Sequence, residues 1–282
     1  ISVLKPQKHG SFHQKHSLGQ NFIEDEALLS QLAELSLVTA EDCVLEIGPG
    51  FGALTKPLAE RAKQVVSLEI DRTLIPILNV TLEKYANARV ICDDVMRTNL
   101  SALVAEAFGA DCPSLRVAAN LPYYITSPVI MYLLESRIPI DAVTVMVQKE
   151  AAARLCAPVG SRDAGAVTVA VNYYADAKKL FDVSAGSFMP APKVDSSVIR
   201  LDIRPDPPVE ISDEKFFFRV VKAAFGQRRK TASNSLSAGL GIPKDKINAA
   251  IEAAGLPASV RAESLGMENL ARLSECIAAQ CR

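Results

Sequence analysis

Asn120-Leu121-Pro122-Tyr123, followed at once by Tyr124, combines residue types that suit one kind of chemistry. The asparagine side-chain oxygen and a backbone carbonyl can both accept hydrogen bonds from an –NH2 group. The proline stiffens the turn and helps fix the direction of that carbonyl. The tyrosine ring offers a face on which a base can stack. Together they fit modification of an exocyclic amino nitrogen on a nucleobase. Each part also has a plainer use, since Asn-Leu-Pro builds loop Asx-turns and paired tyrosines pack cores. Position favours the chemical reading.

About seventy residues upstream stands a second constellation, Glu46-Ile47-Gly48-Pro49-Gly50-Phe51-Gly52. Its glycines let the backbone turn sharply at a strand's carboxyl end and let a ligand come close to the main chain. Glu69 ends the next strand, where a carboxylate can accept both ribose hydroxyls. Asp94 ends the third, placed to accept from an adenine amino group. The spacing is GxGxG rather than the GxGxxG of dinucleotide sites, and Pro49 is unusual for a pyrophosphate turn. A nucleoside–amino-acid ligand without phosphates is therefore favoured over NAD. It is expected at the carboxyl ends of the strands, where chain order reverses, with Asn120 beside it.

The elements that must hold these groups alternate. Apolar spacing predicts a helix over 22–38, with Ile23, Ala27, Leu28, Leu32 and Leu35 on one face. Strands are expected at 43–47, 64–70, 89–92, 115–119 and 141–147, with helices at 52–61, 72–85 and 127–134. This rhythm means a parallel sheet with helices on both faces. The stretch 164–174 fits either a strand or a buried helix. Segments 177–183 and 196–203 read as an antiparallel strand pair. Arg204-Pro205-Asp206-Pro207-Pro208 punctuates the chain, and the boundary is placed near 205. Beyond it helices are expected at 213–225, capped by Ser212, then at 230–238, 244–254 and 267–279. Gly239, Gly241 and Gly255 read as stops, and Pro243 and Pro257 as starts.

The 282 residues suit one large domain or a large one with a small one, and 49% apolar content supplies a sizeable core. Net charge is −1, so no global basic field advertises nucleic acid. The distribution says more. Lys5, Lys8, His9, His13, Lys15 and His16 precede the first acid, Glu24, and Arg228-Arg229-Lys230 forms a second knot. The six cysteines show no metal or disulfide spacing; Cys43 and Cys92 read as small buried hydrophobes in a reducing compartment. No secretory leader opens the chain and no apolar run reaches ~18 residues, so neither export nor a membrane span is expected.

These motifs carry a resemblance. The chain resembles the rRNA adenine N6,N6-dimethyltransferases, above all the bacterial small-subunit (16S) type. The match runs through LGQNF (18–22), LEIGPGFGALT (45–55), SLEID (67–71), DDVM (93–96), NLPYY (120–124), VQKEAAARL (147–155), FMPAPKVDSSV (188–198) and FGQRRKT (225–231). It implies a Rossmann-like, S-adenosylmethionine-dependent methyltransferase fold: an α/β, mostly parallel seven-stranded sheet with helices on both faces. A catalytic domain over 1–205 would be followed by a small all-α RNA- or ribosome-docking domain over 206–282.

The resemblance further implies S-adenosyl-L-methionine as methyl donor. Asn21, the Ile23 backbone, Gly48 and Gly50 would hold its methionine end, Glu69 its ribose, Asp94 its adenine amine and Val95 its ring, with Asn120 alongside. Asn120 and the Leu121 carbonyl, in the turn stiffened by Pro122, would bind the target amine, and Tyr123 and Phe188 would sandwich the everted base. Lys193, Gln227, Arg228, Arg229 and Lys230 would face RNA. The implied reaction is dimethylation of two adjacent adenosines near the 3′ end of 16S rRNA in the small subunit, by a cytoplasmic monomer without a metal. Two readings stand beside it. One is a macrolide-resistance 23S rRNA methyltransferase, which tends to carry NIPY where this chain has Leu121. The other is a ribosome-assembly factor with secondary catalysis. The chain departs from the family at Ala232-Ser233-Asn234, in place of a Leu-Arg-Asn type continuation, and at Ala164-Gly165, in place of Tyr-Gly.

Overall fold

A computed structural model describes residues 22–23, 25–109 and 112–281. The basic N-terminal segment and Asn21 lie outside the described residues. The chain begins with β1 (Phe22–Ile23), α1 (Glu26–Leu35), β2 (Cys43–Ile47), α2 (Thr55–Ala59), β3 (Gln64–Glu69), α3 (Ile75–Thr81) and β4 (Ala88–Cys92). It continues through α4 (Leu100–Phe108), β5 (Leu115–Asn120), α5 (Thr126–Glu135), β6 (Ile140–Gln148), α6 (Lys149–Leu155), α7 (Ala166–Tyr174) and β7 (Ala175–Val183). Then come β8 (Phe188–Met189), β9 (Ser196–Ile203), α8 (Glu214–Phe225), α9 (Ala232–Leu240), α10 (Lys244–Ala253) and α11 (Met267–Cys281).

Seven strands form one sheet in the order β4-β3-β2-β5-β6-β9-β7. The pairs from β4 to β6 are parallel. β9 runs antiparallel to β7, as expected for that pair, and also antiparallel to β6. Strand side chains alternate between faces. Cys43, Leu45 and Ile47 of β2 join Val66, Leu68, Val117 and Ala119 in a core under α4, α5 and α7. Val44, Val65 and Ala118 face the other way, against Leu29, Leu32 and Leu58 of α1 and α2. From β2 the chain moves outward through β3 to β4, then returns to β5 on the opposite side. That reversal opens a crevice at the carboxyl ends of β2 and β5.

Several expectations are corrected. Phe22 and Ile23 are not helical: they pair with Met189 and Phe188 as antiparallel strands. The helix starts later because the Asp25 side chain accepts from Leu28 N–H at 3.1 Å. The helix expected from 52 begins at Thr55, since Gly50 (φ 58°) and Gly52 (φ 80°) hold left-handed turns before it. The ambiguous stretch is helix α7, and α4, capped by the Asn99 side chain, and α6, which follows β6 without a loop, were not expected. Cys43 is buried, but Cys92 at the end of an outer strand is exposed.

In the C-terminal part, Asp213 rather than Ser212 caps α8, accepting from Phe216 N–H at 2.9 Å. Ser212 instead donates to Glu275. Gly239 is not a stop but lies inside α9. A Cβ there would come within 2.6 Å of Ala223 Cβ on α8, so its missing side chain lets the two helices touch. Gly241 does end α9, in the left-handed conformation. Pro257 starts no helix; its carbonyl accepts from Val260 N–H in a turn. The helices share a continuous apolar core with the sheet layer. Phe217 and Phe218 of α8 stack around Tyr173 and Tyr174 of α7, with ring centroids 5.1–5.8 Å apart. Glu214 accepts from both Arg137 and the Tyr174 hydroxyl there.

Candidate active site

The crevice is a cavity of about 1270 Å³. Ile23, Gly48, Gly50, Glu69, Asp94, Val95, Asn120, Leu121, Pro122, Tyr123 and Phe188 all line it. Residues spread over more than half the chain thus converge because β2, β3, β4 and β5 all end at the same edge. Lys193, Gln227, Arg228, Arg229 and Lys230 do not line the cavity and are exposed. Arg228 donates to the Arg162 carbonyl at 2.9 Å, tying its turn to the loop before α7.

The glycine turn is built tightly. Gly48 (φ 72°) and Gly50 (φ 58°) adopt a conformation that L side chains resist. A Cβ on Gly50 would also meet the Phe22 ring at 3.0 Å. The Glu69 carboxylate closes the turn from the neighbouring strand, accepting from Gly50 N–H at 3.2 Å and Asp71 N–H at 2.8 Å. Burial raises its pKa, against the pull of those two amides. On the next strand end, Asp94 accepts from Met96 N–H at 3.0 Å, and Asp93 accepts from Asp94 N–H at 2.8 Å. Each acid is thereby held in a fixed orientation with acceptor capacity remaining.

At the end of β5, the Pro122 carbonyl accepts from Ile125 N–H at 3.1 Å and from the Thr126 hydroxyl at 3.4 Å. Pro122 is thus bound into the turn that starts α5. A Cβ on Gly48 would stand 4.0 Å from the Asn120 carbonyl, so the glycine turn and the tetrad adjoin. The Tyr123 hydroxyl lies 2.9 Å from Ser196 Oγ, which braces the ring against β9. Burial chiefly holds the Tyr123 pKa above its ordinary value, so the phenol stays protonated. Phe188, only 4% exposed, reaches the cavity from β8.

Glu46, within the glycine motif but given no role by sequence, is the most unusual group near the site. It is 1% exposed, and a single carboxylate oxygen, Oε2, accepts from both Thr55 Oγ1 and Ser67 Oγ at 2.7 Å. Among the described residues its other oxygen has no partner. Burial pushes the carboxyl up to about 7, opposed by the two hydroxyls and reinforced by Glu69. A carboxyl inside the apolar run Val44-Leu45-Glu46-Ile47 was the signal that could have marked it. Ser196 carried no signal, because its partner Tyr123 is distant in sequence.

The residues present fit a nucleoside–amino-acid cofactor. The left-handed backbone at Gly48 and Gly50 keeps side chains out of the turn where a ligand must approach, and two oriented carboxylates follow it on successive strand ends. The volume exceeds the ~300–1,000 Å³ of an ordinary small-molecule pocket, which leaves space for a second planar group. Fold and site together define a Rossmann-like S-adenosylmethionine-dependent methyltransferase. Residues 11–279 match the family described as ribosomal RNA adenine dimethylase, and the chain belongs to that family. It is 47% identical to "Ribosomal RNA small subunit methyltransferase A" of Geobacillus thermodenitrificans, over 94% of this chain and 92% of that protein. Its identity to the protein so named from Alkaliphilus metalliredigens is 41%, over 99% of each. Among solved structures it is similar to the 23S rRNA methyltransferase ErmE, with TM-score 0.66 and 27% identity over 92% of this chain and 100% of that one. A dimethyladenosine transferase from Plasmodium falciparum shares the fold, with TM-score 0.76 and 24% identity over 92% of this chain and 98% of that one.

Proposed function

We propose that this enzyme dimethylates the N6 amines of two adjacent adenosines near the 3′ end of 16S rRNA, within the maturing small ribosomal subunit. The observation that carries the reading is the convergence of the Asn120-Leu121-Pro122-Tyr123 turn with the Gly48–Gly50 turn, Glu69 and Asp94 around one cavity. The small-subunit assignment is supported by full-length relatives of that name, whose identity is well above that to the 23S enzyme. Leu121, rather than isoleucine, in the tetrad points the same way.

S-adenosylmethionine, when bound, supplies an electrophilic methyl group on a sulfonium. Gly48, Gly50 and the Ile23 backbone hold its methionine end, with Asn21 assigned there from sequence. Glu69 takes the ribose, Asp94 and Val95 the adenine. Asn120 and the Leu121 carbonyl accept from the two N–H bonds of the target amine. An adenine N6 lone pair is delocalised into the ring and is a poor nucleophile. Accepting both N–H bonds favours a more tetrahedral, electron-rich nitrogen, a stabilisation that grows toward the transition state. Pro122's carbonyl is committed to the turn, and the family resemblance assigns Leu121's as the backbone acceptor in this role. Tyr123 and Phe188 flank the everted base, and their ring faces ease the positive charge developing on nitrogen by ~0.5–2 kcal/mol each. The methylated ammonium is acidic enough to release its proton to water.

Lys193 and Gln227–Lys230 contact RNA outside the cavity, and the helical C-terminal part from 206 onward docks on the ribosome. The enzyme acts as a cytoplasmic monomer without a catalytic metal. Among the described residues, no helix is long and apolar enough to cross a membrane. Labelled S-adenosylmethionine given to unmethylated small subunits, large subunits and naked 16S rRNA, with the modified positions mapped, tests the reading. Two adjacent N6,N6-dimethyladenosines in small-subunit RNA are expected. Label appearing only in large-subunit RNA would overturn it.

A further inference from the structure

Soluble chains bury most large aromatic side chains, and an exposed cluster of large apolar groups marks a contact surface. Seven large hydrophobics stand exposed among the described residues: Leu37, Ile70, Val80, Met96, Tyr124, Met189 and Val194. Four of them, Ile70, Met96, Tyr124 and Met189, line the active-site cavity. Ile70 follows Glu69 on the donor side. Met96 follows Val95, also on that side, while Tyr124 follows the tetrad and Met189 follows Phe188.

Tyr124 is 60% exposed, although Tyr123 beside it is braced by Ser196. Met189 is 63% exposed, although Phe188 beside it is buried. In both pairs the first ring faces into the cavity wall and the next side chain stands at the mouth. For β8 this follows from strand alternation. The mouth therefore has its own apolar surface, separate from the Tyr123–Phe188 pair. Two cations lie close in the chain: Lys193 is exposed beyond Pro190, and Arg97, paired with Asp94 at 3.6 Å, keeps its side chain 86% exposed.

We infer that Tyr124, with Met189, forms a second stacking platform that holds the RNA base next to the target adenine. The inference rests on the reading of the cavity as a site for an everted base. When a nucleotide swings out of its stack, its neighbour loses a stacking partner, at a cost of a few kcal/mol. An exposed aromatic face at the pocket mouth replaces that partner. A planar apolar face with an exposed cation close by in the chain suits a base with its phosphate, and single-stranded sites use this combination. For two adjacent targets the platform has a further effect: the base waiting its turn is held beside the pocket while its neighbour reacts.

Steady-state methyl transfer by the full chain tests this, using whichever RNA or subunit the wild-type protein methylates. Tyr124→Ala is expected to raise KM for RNA at least about fivefold, with KM for S-adenosylmethionine unchanged. Tyr124→Phe should restore the wild-type value, because the ring face and not the hydroxyl stacks. Met189→Ala should raise KM for RNA less, and Val80→Ala, an exposed apolar residue that does not line the cavity, not at all. Replacing the base on either side of the target with an abasic ribose should weaken wild-type turnover for one neighbour and add nothing further in Tyr124→Ala. The inference is overturned if Tyr124→Ala matches wild type, if KM for S-adenosylmethionine rises instead, or if the abasic and alanine effects multiply independently. Absence of methyl transfer by the wild-type protein to any RNA would defeat the underlying reading of the cavity as well.

Discussion

Tyr123 Oη and Ser196 Oγ stand 2.9 Å apart, linking the turn after β5 to the first residue of β9 across the mouth of β6. This one bond gives the tetrad's aromatic ring a fixed orientation. Ser196 is fully buried, while Tyr123 is half-buried at the cavity wall, so the bond anchors the ring from the protein side. Ser196→Ala removes the partner while leaving both strands in place. Turnover is expected to fall about 2- to 10-fold, in line with ~0.5–1.5 kcal/mol for one hydrogen bond. Donor affinity should be unchanged, and calorimetric titration beside single-turnover rates separates the two.

Glu46 makes stability depend on pH. Its carboxyl titrates near 7 in the folded chain against an ordinary 4.5. Between those values the folded chain holds a proton that the unfolded chain has released. The contribution is therefore fully present below about 4.5, declines as pH rises, and is lost above about 7. The full swing is about 3 kcal/mol. Glu46→Gln keeps the shape and stays neutral, so its urea midpoint should match wild type below about pH 4.5 and exceed it at about pH 8. Parallel pH profiles would refute the assignment.

Gly239→Ala sets two effects against each other. Helix propensity alone favours alanine by about 1 kcal/mol. The new methyl would stand 2.6 Å from Ala223 Cβ and 2.9 Å from its Cα, so the α8 backbone must move. Overpacking costs about 1–3 kcal/mol and is expected to win. Thermal melting of the variant should show a lower Tm, and a rise would mean that α8 and α9 separate without penalty.

Much of this arrangement was legible from residue order. The alternation Val44-Leu45 with Val65-Val66 announced buried parallel strands, and Gly48-Pro49-Gly50 announced the turn at their end. The glycine turn, Glu69, Asp94 and Asn120 were legible because each sits at or just past a strand's carboxyl end, whereas Ile23 and Phe188 came from the resemblance alone. What escaped depends on distant partners. The two-residue strands β1 and β8 exist only through each other, so Phe22 and Ile23 joined the periodicity of α1 instead. Helix α6 follows Gln148 with no punctuating residue, and α4 is too short for its pattern to stand out, although Asn99 was a visible cap. Gly239 looked like a stop because glycine ends helices more often than it serves close packing. Tyr124 was noted only as an adjunct to the tetrad, since exposure is not written in sequence.

The central claim is that the Asn120 side chain and the Leu121 carbonyl accept hydrogen bonds from the target amine. Its most direct test is the single-turnover methyl-transfer rate of Asn120→Ala, measured beside its dissociation constant for S-adenosylmethionine. Loss of one acceptor that strengthens toward the transition state predicts a rate lower by roughly 10²–10³, with donor affinity within about twofold of wild type. A rate close to wild type, or a loss of donor affinity as large as the loss of rate, would contradict it.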